Sequence, residues 1–207
     1  MRLGIFGGSF DPVHYGHLLL AECCREQCRL DRVDFLPAAV PPHKRDRDLT
    51  AAAARIEMLE LGIAGHESFA VGRYEVERGG INFTVDTLRH YRQQHPEAEL
   101  FFLVGADMLN DLPAWREPQE VCRLAVVVAA CRPGHPAPDF GRLAGIACPE
   151  RIALFCRHQV EMPPIGIRSS ELRRRVAAGL SIRFRTPRAV EKYVEAHGLY
   201  RDPLAAG

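Results

Sequence analysis

Gly7-Gly8-Ser9-Phe10-Asp11-Pro12-Val13-His14-Tyr15-Gly16-His17 is the stretch that decides the fold. The apolar run Leu3 to Phe6 before it has the composition of a buried strand. After it, Leu20, Cys24 and Cys28 recur every fourth residue in a run from Leu18 to Arg29 with helical spacing. A glycine-rich turn from strand to helix gathers backbone N–H groups and the positive end of a helix at one point, which suits an anion and above all a phosphate. His14 and His17 stand where the helix begins, and each imidazole can donate a hydrogen bond to a phosphate oxygen. Gly16 between them is expected to let a ligand press against the backbone. The element reads as a holder for a nucleoside triphosphate.

Further along the chain, short apolar runs alternate with helical spacing. Arg32 to Leu36, Phe69 to Glu77, Leu100 to Val104, Leu124 to Ala130 and Ile152 to Phe155 read as strands. Helices are expected over Thr50–Ala64, with Thr50 as N-cap, and over Thr84–Gln94. Two more follow: one capped by Ser169 or Ser170 and stopped by Gly179, and one opened by Thr186-Pro187 and stopped by Gly198. Residues 135–149, rich in proline and glycine, read as a surface excursion. This alternation predicts an α/β fold, a Rossmann-like doubly wound parallel sheet covered on both faces, with a small C-terminal helical portion. One domain over residues 1–207 is expected, with residues 165–200 as a C-terminal helical subregion. Ligands of such sheets bind beyond the carboxyl ends of the strands, where both the Gly7–His17 turn and Gly105-Ala106-Asp107 fall.

A net charge of +1 gives no bulk electrostatic reason for binding nucleic acid or an anionic membrane. The start of the chain has no secretory apolar core, and Leu124 to Cys131 is too short a run to cross a bilayer. Seven scattered cysteines without Cys-x-x-Cys spacing predict a reduced, cytoplasmic protein. A zinc site at the two histidines fails on pattern, because Cys24 and Cys28 belong to the packed helix face, and no metal ligands are assigned.

Neither Gly-x-Gly-x-x-Gly nor Gly-x4-Gly-Lys-Ser/Thr is present, which disfavours dehydrogenases and P-loop NTPases. The Gly-Gly-Ser-Phe-Asp-Pro-x-His-x-Gly-His pattern instead resembles the nucleotidylyltransferase superfamily, and within it the bacterial nicotinate mononucleotide (NaMN) adenylyltransferases. The resemblance covers nearly the whole chain. Pro41-Pro42-His43-Lys44 resembles that family's basic loop, Asn82 to Leu88 and Gly105-Ala106-Asp107 with Trp115 its mononucleotide segments, Val127 to Gly134 its strand and Arg-Pro-Gly turn, and Ile167 to Arg173 its Ile-Ser-Ser-Thr-x-Ile-Arg motif. The chain departs from the pattern at Arg168, which replaces the motif's first serine, at Ser170 in place of threonine, and at Asn82-Phe83 in place of Ser-Tyr.

The resemblance implies transfer of AMP from ATP to NaMN, giving deamido-NAD and pyrophosphate. It implies His14, His17, Lys44 and Arg173 as catalytic groups, and ATP contacts from Gly7, Gly8, Ser9, Phe10, Gly16, Ser169 and Ser170. It also implies NaMN contacts from Thr84, Asp107, Trp115 and Arg132, and Mg²⁺ arriving with ATP as co-substrate. The residues suit that chemistry, because a phosphate monoester is already an anion near neutral pH and needs no side-chain nucleophile. Positioning and charge stabilisation then carry the reaction. Trp115 reads either as a lid over the core or as a ring stacking on the pyridine, the latter favoured. Asp11 reads as holding the turn rather than touching substrate.

Rival readings are other phosphate acceptors (nicotinamide mononucleotide, phosphopantetheine, FMN), a non-catalytic nucleotide-binding module, and a fragment of an aminoacyl-tRNA synthetase. ATP and NaMN are the expected partners, with no nucleic acid or membrane, and oligomerisation is left open.

Overall fold

Six short strands lie side by side in one sheet, all parallel, in the order β3-β2-β1-β4-β5-β6. They are β1 (Arg2–Gly8), β2 (Arg32–Pro37), β3 (Phe69–Val71), β4 (Glu99–Gly105), β5 (Val126–Cys131) and β6 (Val160–Glu161). The computed structural model describes residues 1–39, 49–131 and 137–201. The four central strands, β1, β2, β4 and β5, are apolar along most of their length because they bury both faces under helices. From β1 the chain winds outward through β2 to β3, then crosses back to β4 and winds the other way. The reversal falls between β1 and β4. Their ladder ends at Ile5↔Phe102, while β1 runs on to Gly8 and β4 to Gly105, so the two strands part at their carboxyl ends and open a crevice.

Four helices lie in the chain between β1 and β4: α1 (Tyr15–Gln27), α2 (Ala52–Ile63), α3 (Tyr74–Arg78) and α4 (Thr84–Gln94). α5 (Ala106–Asp111), α6 (Pro118–Leu124) and α7 (Pro149–Arg157) flank the β4–β6 half, and α8 (Ser169–Ala177) and α9 (Arg188–Ala196) close the C-terminal region. A continuous core runs from Leu3 through Val104 and Val128 to Val194. Among the described residues, no helix is long and apolar enough to cross a membrane.

The structure corrects several expectations. Ile152–Phe155 is not a strand but the middle of α7: Pro149 presets the first turn, and Ile152 and Phe155 share one face, with Phe155 fully buried. Four apolar residues carry no period that separates helix from strand. The strand at the edge beyond β5 is β6, only two residues long and paired with Ala130 and Cys131. The strand expected over Phe69–Glu77 stops at Val71. At Gly72 a side chain would come within 2.3 Å of Leu36 and 2.5 Å of the Tyr91 hydroxyl, and the chain turns away into α3.

Leu124 ends α6 rather than opening β5. The expected hydroxyl caps are absent as well. The N-caps of α2, α8 and α9 are Ala51, Arg168 and Pro187, without side-chain cap bonds. The hydroxyls of Ser169 and Thr186 are instead drawn to distant carbonyls.

Candidate active site

Phe10 is the hinge of the Gly7–His17 turn. Its backbone is left-handed (φ 46°), a conformation costing roughly 1–2 kcal/mol for a side chain of this size. Its ring is fully buried, between Phe6 (centroids 5.4 Å), Phe35 (5.7 Å) and His17 (5.0 Å), and burial of a phenyl ring contributes about 1.5–3 kcal/mol. Burial therefore offsets the strain, and the turn is fixed by its own aromatic plug. The ring also fills the space over Gly8, where a Cβ would lie 2.9 Å from it. Phe10 thus leaves only its backbone for a ligand. Gly7 and Gly105, on either side of the crevice, have nothing described within 4 Å of where a Cβ would stand.

His14 is the N-cap of α1 and is buried; its imidazole stacks on that of His17 with centroids 3.7 Å apart and planes 17° from parallel. The stack places two imidazoles side by side at the positive end of a 13-residue helix. Gly16 serves this stack. A Cβ at Gly16 would sit 3.0 Å from both Cε1 and Nδ1 of His14, so the missing side chain makes room for the imidazole.

The C-terminal region folds back onto the same turn. The Ser169 hydroxyl, in the first turn of α8, donates to the Pro12 carbonyl at 3.0 Å. Nη1 of Arg173 donates to the Asp11 carbonyl at 2.7 Å, and the Thr186 hydroxyl to the Val13 carbonyl at 2.7 Å. Tyr15 N–H donates to the Arg185 carbonyl at 3.1 Å. The N-terminus of α8 therefore faces the N-terminus of α1, with Ser170 exposed beside it. The structure brings Ser169 and Arg173 onto the turn that carries His14 and His17.

Two further groups brace the turn without a local signal in sequence. Arg55 on α2 is 1 % exposed, and donates from Nη1 to the Ser9 carbonyl and from Nε to the Thr50 carbonyl, both at 2.9 Å. Burial lowers its guanidinium pKa, an effect opposed by the Asp11 carboxylate. An arginine on a helix face otherwise made of alanine, isoleucine, methionine and leucine is the one hint sequence offers. Tyr200 donates to Asp11 Oδ1 at 2.6 Å; burial first, then the charge of Asp11, raise its phenol well above the usual range and keep it a hydrogen-bond donor.

On the far side of the crevice, Thr84 opens α4, half-buried, behind Phe83 as N-cap. Arg116 lies over the Phe83 ring at 4.8 Å, which ties this helix start to the segment bearing Trp115. Trp115 meets Phe102 of β4 edge to face at 5.9 Å and packs partly against the core. Its indole N–H is shielded and has no acceptor among the described residues. Asn82 anchors the preceding loop, donating to the carbonyls of Glu75, Gly79 and Gly80. Asp107 lies in the first turn of α5, at the carboxyl end of β4. Lys44 and Arg132 lie outside the described residues, with the rest of the 41–45 basic loop.

A strand, a His-x-Gly-His turn and a reversal of strand order at one crevice mark a ligand-binding α/β arrangement. The family model described as cytidylyltransferase-like matches residues 5–175, and the chain belongs to that family. Its curated relatives narrow the class. One from Thermomicrobium roseum is 46 % identical over 203 residues, 97 % of this chain and 92 % of the relative. One from Thermus thermophilus is 46 % identical over 201 residues, 97 % of this chain and all of the relative. Both bear the name "probable nicotinate-nucleotide adenylyltransferase". Among solved structures, the Plasmodium falciparum nicotinic acid mononucleotide adenylyltransferase complexed with NaAD shares the fold. Its TM-score is 0.72 at 18 % identity, over 96 % of this chain and 97 % of that one.

Proposed function

We infer that the protein transfers AMP from ATP to nicotinate mononucleotide, releasing pyrophosphate and forming deamido-NAD in NAD biosynthesis. The observation that carries this reading is the stacked His14–His17 pair at the crevice, with Arg173 and Ser169 bound to the same turn. The names of relatives at 46 % identity support NaMN as the acceptor.

A phosphate oxygen of NaMN attacks the α-phosphorus of ATP in line. The bond from that phosphorus to the bridging oxygen breaks, and pyrophosphate leaves with the electron pair. No enzyme nucleophile is needed. Charge that builds on the α-phosphate and the leaving group is met by N–H donors of His14 and His17, by Arg173, and by backbone N–H groups at the start of α8 near Ser169 and Ser170. Lys44 adds a cation from the basic loop. Gly7, Gly8, Ser9 and the backbone of Phe10 line the nucleotide, with Gly16 keeping the His14 ring in place.

On the acceptor side, Trp115 stacks on the pyridine ring, Thr84 presents the N-terminus of α4 to the nicotinate carboxylate, Asp107 takes ribose hydroxyls, and Arg132 is assigned to NaMN by the family resemblance alone. Mg²⁺ would arrive with ATP and sit mainly on its phosphates, because Mg²⁺ on a nucleotide keeps most of its waters. The whole chain would act as one domain, with residues 165–200 as its helical subregion, in the cytoplasm.

The test is pyrophosphate release with ATP and Mg²⁺, comparing NaMN with nicotinamide mononucleotide. A strong preference for NaMN is expected, and His17→Ala should lower kcat by about 10²–10³-fold, the usual loss for one charge-stabilising donor. Equal use of both acceptors would overturn the account of the acceptor pocket. An unchanged rate in His17→Ala would overturn the role of the histidines.

A further inference from the structure

Asp11 is where the two ends of the chain meet. Its side chain is 1 % exposed, and its Oδ1 accepts the hydroxyl of Tyr200, 189 positions away, at 2.6 Å. Its Oδ2 accepts the backbone N–H of Thr50 at 3.4 Å and lies 3.9 Å from Nη1 of Arg173, too far for a hydrogen bond. That nitrogen is instead bound to the Asp11 carbonyl. Nε and Nη2 of Arg173 make no hydrogen bond among the described residues, and its side chain is 29 % exposed, so one edge of the guanidinium is open to an anion.

We propose that Tyr200 is a positioning residue for the nucleotide site: by holding the Asp11 carboxylate, it keeps Arg173 from collapsing onto that carboxylate and leaves the open guanidinium edge for the triphosphate. A buried carboxylate needs strong partners. Without the phenol, the nearest unspent one is Arg173, and a short bidentate pair with Asp11 would take up the donors that ATP needs. Tyr200 thus works on ATP through Arg173 without touching it. The inference rests on the proposed placing of Arg173 at the triphosphate.

The experiment is a double-mutant cycle in the full chain with Tyr200→Phe, which keeps the ring and its packing, and Arg173→Ala. Two quantities are read at a temperature where circular dichroism shows each variant folded: ATP affinity by calorimetry, and kcat and KM for ATP and NaMN. Tyr200→Phe should weaken ATP binding and raise the KM for ATP about tenfold, the scale of one lost hydrogen bond to a charged group, with the KM for NaMN unchanged. In the Arg173→Ala background the same substitution should add nothing. Effects that add, or a Tyr200→Phe variant with wild-type ATP affinity while Arg173→Ala is impaired, would reduce Tyr200 to a structural tether. If Arg173→Ala alone left ATP affinity and turnover intact, the site assignment beneath would fall and this inference with it. If the wild type did not turn over NaMN, only the acceptor assignment would fail, because the affinity cycle still decides the role of Tyr200.

Discussion

Gly16→Ala separates stability from catalysis in a way the geometry makes quantitative. Gly16 is the second residue of α1 and has no left-handed backbone, so alanine fits its conformation. On helix propensity alone the change would stabilise by up to about 1 kcal/mol. The new Cβ, however, would lie 3.0 Å from Cε1 and Nδ1 of His14 and 3.5 Å from the Ile167 carbonyl. Relief to ordinary contact needs a shift of roughly half an ångström, which falls on the imidazole because the Ile167 carbonyl is already at contact distance. Overlap of this size in a packed site costs about 1 kcal/mol or slightly more, so the two terms nearly cancel in folding free energy. They do not cancel in the reaction. A misplacement of 1 Å costs on the order of 10²-fold, so half of it should lower kcat by roughly tenfold. Calorimetric melting and pyrophosphate-release kinetics on one preparation read both. A wild-type kcat beside an unchanged melting temperature would refute the claim that Gly16 exists to seat the His14 ring.

Arg55→Leu should destabilise by about 3–5 kcal/mol in urea denaturation, because it leaves the Ser9 and Thr50 carbonyls without their charged donor, each such hydrogen bond being worth about 1.5–3 kcal/mol. A loss under about 1 kcal/mol would mean that water replaces the guanidinium. Glu75 supplies a pH test. Burial raises its carboxyl pKa, against the opposing hydrogen bond from Thr87 and the charge of Arg78. The folded chain therefore binds this proton more tightly than the unfolded one. The contribution to stability is full below the ordinary carboxylate range and is lost as pH rises through the elevated folded value. Glu75→Gln should then melt higher than the wild type, by a margin that widens from pH 4 to pH 8; a constant margin would remove burial as the cause.

Much of the site was legible because its chemistry is local. A strand, two glycines, a helix and two histidines three residues apart lie within one short stretch, so their geometry follows from backbone rules alone. Ser169 and Arg173 were legible through their motif, but their contacts were not. The hydroxyl of Ser169 reads locally as a helix cap, yet it donates to Pro12 across the fold. Thr186 reads the same way and donates to Val13. A cap needs the hydroxyl oxygen to accept from a backbone N–H, whereas here the hydroxyl hydrogen is donated to a carbonyl that only tertiary packing brings within reach.

By itself, then, the sequence determined the parallel sheet and the strand–turn–helix that carries the two histidines, because periodicity and glycine placement act over a few residues. Only the tertiary structure decided that Gly16 makes room for the His14 ring, that Ile152–Phe155 is helical, and that Arg55 and Tyr200 hold the Ser9–Asp11 turn. Those outcomes depend on which buried polar atoms are left to be satisfied once the core has closed, and that is a property of contacts between residues as far apart as Asp11 and Tyr200.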